Sequence, residues 1–153
     1  HIDLEIRHGE GGWSGLHSEK IVEEKMLPLC SPDFLKEGSL SIEELVDYRL
    51  IHSVKNLVQW PKWFDKAGHN IGKPFQKVLF DRAYMSIEIA LKGGGIALES
   101  HIIASQEIAD GTLVCPIKNP PDVRQSSLWI VCPHSHLRRH KVQSFIMWIK
   151  SLI

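Results

Sequence analysis

The chain has 153 residues with 18 basic and 18 acidic side chains, and it is 43% hydrophobic and 24% charged; this composition fits a globular domain with a core and excludes a disordered or fibrous chain. The charges cancel, so no global field draws the chain to nucleic acid or to an anionic membrane, and no apolar run approaches the roughly 18 residues that span a bilayer. Cys30, Cys115 and Cys132 are odd in number, widely spaced and without a CxxC pair, which reads as free buried thiols in a reducing compartment rather than a disulfide framework.

In chain order, Ile2, Leu4 and Ile6 alternate with Asp3, Glu5 and Arg7, the pattern of a strand with one apolar face. A chain that opens directly on a strand, with no leader and no initiator Met, is expected to be a piece of something larger. The glycine-rich loop HGEGGWSG holds Trp13, and SEKIVEEKMLPLCS follows as extended structure, with Pro28 marking an edge strand, a bulge or a crossing. Ser31 and Pro32 open a short helical turn, and SIEELVDY opens on a serine-x-x-glutamate capping box formed by Ser41 and Glu44. RLIHS is a strand, WPKWFDKAG a helix stopped by Gly68, and QKVLFD another strand.

Asp81 then caps a helix with Ala83, Ile87, Ala90, Leu91 and Gly94 on one face, after which LKGGGIALES runs from helix through three glycines into a strand. IIASQEIADG is predicted helical and closes on Gly111, TLVCPI is predicted as a strand, KNPPDVRQ as a turn-rich connection and SLWIVC as a strand. The last segment, HKVQSFIMWIKSLI, places Val142, Phe145, Ile146, Ile149, Leu152 and Ile153 on one stripe of a helix that packs on a sheet. Strands and helices thus alternate through the middle of the chain in an α/β arrangement.

In open α/β sheets ligands bind beyond the carboxyl ends of the strands, which directs attention to His8 and its glycine loop, His52 and Ser53, Asp81 to Tyr84, and Glu99 with Ser100. The triple glycine does not qualify as a phosphate loop, because a nucleotide site needs its glycines after a strand and before a helix, and here the order is reversed. His134, His136 and His140 form an H-x-H-x3-H cluster, but Arg138, Arg139 and Lys141 beside it oppose a cation, so it reads as a solvated helix entry and no metal is expected. No GxSxG elbow is present, and Cys30 lacks the surroundings of a cysteine nucleophile. Asp81, Arg82, Tyr84 and Ser86 lie at a helix start where free N–H groups favour an anion; the competing reading is that Asp81 only caps its helix. His52 reads either as a satisfied buried histidine or as a ligand contact, and Trp13 and Trp60 as pocket walls or core anchors, with the core favoured for Trp60.

Taken together, IDLEIRHGEGGWSGL, KIVEEKMLPLCSPDFL, LIHS, WPKWFDKAG, FDRAYMSIEIALKGGGIAL, ADGTLVCPI and SLWIVCP, in this order and spacing, resemble the effector-binding domain of LysR-type transcriptional regulators, in the glycine-cleavage-activator-like subgroup. The resemblance covers essentially the whole chain. It implies an α/β, periplasmic-binding-protein-like (type 2) fold of two Rossmann-like lobes joined by two crossing strands near Glu24-Lys25 and Pro116-Ile117. Residues 25–117 would be regulatory lobe II, and residues 1–24 and 118–153 part of lobe I. The family's N-terminal winged helix-turn-helix and the first portion of lobe I are absent from this sequence. Glycines 93 to 95 depart from the usual glycine-x-glycine of the family, whose middle residue is commonly larger.

What the resemblance implies for function is a non-enzymatic, cytoplasmic sensor without a cofactor. A small anionic metabolite would be held in the cleft between the lobes by Arg7, His8 and Trp13 from one lobe, and by His52, Ser53, Asp81, Arg82, Tyr84, Glu99 and Ser100 from the other. DNA would be bound only through the missing N-terminal domain, in a homodimer or homotetramer, with no membrane partner. The alternative is a solute-binding protein of a transport system with the same fold, which unpaired thiols disfavour; a third reading is an enzyme on this architecture.

Overall fold

A computed structural model describes residues 2–36, 38–71 and 75–153. The chain divides into two compact units, residues 1–24 with 125–153, and residues 25–124.

The second unit is built on a sheet in the order β2-β5-β3-β4. Its strands are the C-terminal part of β2 (Leu16–Leu29), β3 (Leu50–Ser53), β4 (Lys77–Phe80) and β5 (Ile96–Ser100). β3 pairs in parallel with both β4 and β5, as short connections through helices require, while β2 runs antiparallel to β5 with Pro28 opposite Leu98. β2 is the edge of this sheet, where a residue without an N–H is tolerated.

Two apolar layers cover the faces. On one side Leu50, Leu98 and Met26 pack with α1 (Trp60–Lys66), whose Trp60, Trp63 and Phe64 are buried. Both indoles are anchored by their N–H groups: Trp60 Nε1 donates to Ile51 O at 3.0 Å and Trp63 Nε1 to Met26 O at 3.0 Å. Trp60 is therefore a core anchor. On the other side Ile51, Ala97 and Leu29 pack with Ile87 and Ala90 of α2 (Ala83–Leu91).

The glycines after α2 do what their order predicts. Gly93 sits at φ +76°, and Gly94 N–H donates back to Ile89 O at 2.9 Å, which ends the helix. Gly95 lets β5 run against β3: a Cβ there would lie 2.5 Å from the Arg49 carbonyl oxygen. The predicted capping box is also present, with Glu44 N–H donating to Ser41 Oγ and Ser41 N–H to Glu44 Oε1, on a 3-10 turn over Glu43–Asp47 rather than an α-helix.

Three expectations are corrected here. Asp81 does not cap α2: the N-cap is Arg82, and no side chain bonds the helix start. The helix predicted from Ile102 begins at Ser105, as α3 (Ser105–Asp110), because Ser100 Oγ accepts the N–H groups of Ile102 and Ile103 and holds a turn ahead of it. TLVCPI forms no strand; it contributes only isolated bridges, Cys30 to Val114 and Leu40 to Ile117.

In the first unit β1 (Glu5–His8) lies antiparallel to β6 (Arg124–Pro133), with Arg7 opposite Trp129, and β6 neighbours the N-terminal part of β2. α4 (His140–Ser151) packs Val142 and Ile146 against Ile130 and Cys132. Only half of its predicted apolar stripe is covered: Phe145 and Ile149 are half-buried and Leu152 and Ile153 are exposed, as are Met147 and Trp148. Asp3 ties the start of α4 down by accepting from Arg139 and Lys141, each at 2.7 Å, and those two cations hold its carboxyl below the usual range.

The three cysteines are free thiols. Burial, with a smaller contribution from nearby Cys115, pushes Cys30 up to about 12, so it stays protonated and unreactive. No helix among the described residues is long and apolar enough to cross a membrane.

Candidate functional site

The polar residues of the second unit collect at the carboxyl ends of β3 and β5 and at the start of α2. His52 and Ser53 end β3, Glu99 and Ser100 end β5, and all four are buried. Strand alternation sends them to opposite faces. His52 shares the face of Leu50 and points to α1, where its Nδ1 accepts the Trp60 N–H at 3.4 Å. His52 therefore serves as the acceptor for the first N–H of α1, a helix whose own N-cap residue, Gln59, makes no side-chain bond. Burial, reinforced by the charge of Lys77, lowers its pKa to about 4, so the ring is neutral. With Nδ1 as acceptor, the proton lies on Nε2, which has no partner.

Ser53 and Glu99 lie on the other face with Ile51 and Ala97, under α2. Ser53 Oγ accepts the Lys55 N–H at 3.2 Å, which leaves its own proton to donate. Ser100 turns back to the α1 side and is committed to the turn that follows it. Asp81, Arg82 and Tyr84 are exposed at the start of α2, with Tyr84 at 66%; Arg82 Nη1 donates to the Asp81 carbonyl.

In the first unit Arg7 pairs with Glu5 and lays its guanidinium 5.0 Å from the centre of the Trp13 ring. Trp13 meets Trp129 edge to face at 6.2 Å, and Trp129 Nε1 donates to Gly9 O at 2.8 Å. The glycine loop is tight because the indoles fill it: a Cβ at Gly11 would lie 2.7 Å from Trp129. His8 is exposed at the end of β1.

Sequence reasoning placed Ser86 at the helix start but left it out of the effector contacts, and it did not single out Asn56 or His101. Ser86 is fully buried on the inner face of α2, and its Oγ has no partner. Asn56 donates to Leu98 O at 3.0 Å and pins the loop after β3 to β5. His101 Nδ1 accepts the Lys25 N–H at 2.8 Å, fixing β2 where it enters this unit, and nothing in local sequence pairs residues 76 apart. Among the described residues, no group of three or more His, Cys, Asp or Glu could hold a metal ion. The predicted histidine cluster is dispersed, with His136 Nδ1 donating to Asp3 O at 2.8 Å.

A mixed sheet with buried polar side chains at the ends of its parallel strands, beside an uncapped helix start, has the architecture that suits a small-molecule site in an α/β domain. The family profile of the LysR substrate binding domain matches residues 1–152, and the chain belongs to that family. It is similar to the glycine cleavage system transcriptional activator of Escherichia coli K12, at 32% identity over 97% of this chain and 48% of the relative. It is also similar to the HTH-type transcriptional regulator PerR of the same organism, at 34% identity over 97% of this chain and 50% of the relative. Among solved structures, the effector domain of the regulator AmpR of Pseudomonas aeruginosa superposes with a TM-score of 0.74 at 25% identity, over 99% of this chain and 72% of that one. The fold is thus the type 2 periplasmic-binding-protein-like fold of these effector domains. The chain spans about half the length of the curated relatives it matches, and those relatives are named as transcriptional regulators rather than transporters or enzymes.

Proposed function

We propose that this chain is the effector-sensing part of a LysR-type transcriptional regulator, which recognises a small anionic metabolite and passes the event to DNA held elsewhere in the longer protein. The observation that carries this reading is the conjunction of family membership with polar side chains at the strand ends beside an α2 start that no side chain caps. The second unit corresponds to regulatory lobe II and the first to part of lobe I. The effector contacts are Arg7, His8 and Trp13 in the first unit, and His52, Ser53, Asp81, Arg82, Tyr84, Glu99 and Ser100 in the second. The geometry ranks them unequally. Ser53 and the α2 start present free donors, whereas His52 and Ser100 already serve α1 and the turn before α3.

An effector that binds one conformation of the regulator more tightly shifts its population, and with it the placement of DNA-binding heads in a cytoplasmic homodimer or homotetramer. The test is a transcriptional reporter driven by the full-length regulator. Substituting Ser53→Ala and Arg82→Ala is expected to abolish effector-dependent transcription while leaving operator binding intact. Normal effector responses in both variants would overturn the reading.

A further inference from the structure

We propose that His101 is a positioning residue that carries effector occupancy from the end of β5 to the places where the chain passes between its two units; this rests on the reading of the chain as an effector-sensing domain. β5 ends at Ser100, and β2 lies antiparallel to it with Met26 opposite Ser100. The next pair in that register is Lys25 with His101. A hydrogen-bonded pair in an antiparallel ladder exchanges two backbone bonds, one N–H to carbonyl bond in each direction. Here only one bond is of that kind: the His101 N–H donates to Lys25 O at 2.9 Å, whereas the Lys25 N–H donates at 2.8 Å to Nδ1 of the His101 ring. The imidazole stands in for its own carbonyl. The backbone can therefore leave the sheet at residue 101 and enter the turn held by Ser100 Oγ, while the Lys25 N–H keeps an acceptor. With Nδ1 accepting, the ring proton lies on Nε2.

The place of this rung in the chain gives it a role beyond closing a sheet. Lys25 is the first residue of the second unit, and the chain returns to the first unit after Arg124. Next to Lys25, the Met26 N–H donates to Val123 O at 2.8 Å, which ties the entering segment to the departing one. Met26 O in turn accepts the Trp63 indole N–H at 3.0 Å, so Met26 is fixed in the core under α1. On the other side, His101 follows directly on Glu99 and Ser100, the proposed contacts at the end of β5. One imidazole therefore stands between that strand end and both passages. A backbone carbonyl in its place would be locked, but a side-chain acceptor has discrete rotamers and leaves Lys25 by rotation about a single bond. The rung thus has a closed and an open arrangement, the two-state element that energetic coupling requires. An effector that shifts the turn after β5 favours one of them, and so changes how firmly Lys25 and Val123 are held.

The experiment uses the full-length regulator with His101→Ala, His101→Asn and His101→Gln. Asparagine Oδ1 and histidine Nδ1 both lie one bond beyond Cγ, so asparagine keeps the acceptor in place and glutamine displaces it by one bond. Amide exchange is measured without ligand; the reporter response is measured beside the melting-temperature shift produced by the small-molecule ultrafiltrate of a host-cell extract. In the alanine and glutamine variants the Lys25 and Met26 amides are expected to exchange about tenfold faster, because a hydrogen bond that holds them is lost. The reporter response is expected to fall about tenfold, a typical coupling between sites, while the melting-temperature shift stays as in wild type. His101→Asn is expected to restore both exchange and response. If alanine unfolds the protein, glutamine decides alone. Unchanged exchange at Lys25 and Met26, a wild-type response in the alanine and glutamine variants, or rescue by glutamine equal to that by asparagine overturns the proposal while effector sensing stands. Loss of response and melting shift together also overturns it, since His101 would then act in binding. A wild-type regulator that neither shifts nor responds removes effector sensing itself, and this proposal with it.

Discussion

His52 shows how one side chain can be claimed by structure and left partly available. Its Nδ1 completes the start of α1, and its Nε2 is buried without a partner. Because its folded pKa, about 4, lies below the ordinary 6.5, the unfolded chain binds the extra proton first. Its contribution to stability is therefore complete above about pH 6.5 and is lost as pH falls from there toward about 4. Urea titrations across that window should show wild-type stability dropping with acid more steeply than that of His52→Gln. Equal slopes would mean that protonation of this ring is not resisted by the fold. The same residue illustrates what a strand end alone does not reveal. Its position was legible in RLIHS, but that it faces α1 while Ser53 faces α2 follows from the register with Leu98 and Ala97.

At the scale of the element, α2 is the clearest case of sequence and structure agreeing on position and differing on chemistry. The apolar spacing and the glycine stop define its two ends, yet the residue at its N-cap is Arg82, with extended dihedrals and no capping bond, rather than Asp81. A helix start without a cap is weaker than it need be, and this start is where the effector's acid group is proposed to sit. Arg82→Asn should therefore stabilise the protein by about 1 kcal/mol in chemical denaturation, by supplying the missing cap. It should also weaken effector binding, because its amide oxygen would occupy the same N–H groups. A gain in stability with undiminished effector affinity would remove the α2 start from the site. The half-covered stripe of α4 carries the opposite lesson. Its period announced a buried face, but only Val142 and Ile146 find full cover among the described residues.

On the scale of the whole molecule, the two units have very different cores. The second unit buries two apolar clusters, one on each face of its sheet and one of them holding Trp60, Trp63 and Phe64, whereas the cluster of the first unit centres on Ile130, Cys132, Val142 and Ile146. Local opening follows buried apolar contact. Amide exchange should consequently be slowest in β3 and β5, and markedly faster in β1 and α4. Uniform protection across both units would contradict that ranking.

The sequence by itself determined the α/β class, the order of the elements apart from TLVCPI, the family, and the strand ends where polar residues gather. Each of these depends on local periodicity, on glycine and proline, or on motifs kept in order along the chain. Only the tertiary structure decided which face each polar residue takes, that TLVCPI is left as two bridges, that Arg82 rather than Asp81 begins α2, and that Ser86 is buried beneath that start. Those outcomes depend on strand register and on what packs above each face, and such pairings join residues far apart in sequence. The run LKGGGIALES contains both kinds of information. Its glycines end a helix for local steric reasons, while the burial of its glutamate beside Ser53 exists only because β5 lies against β3.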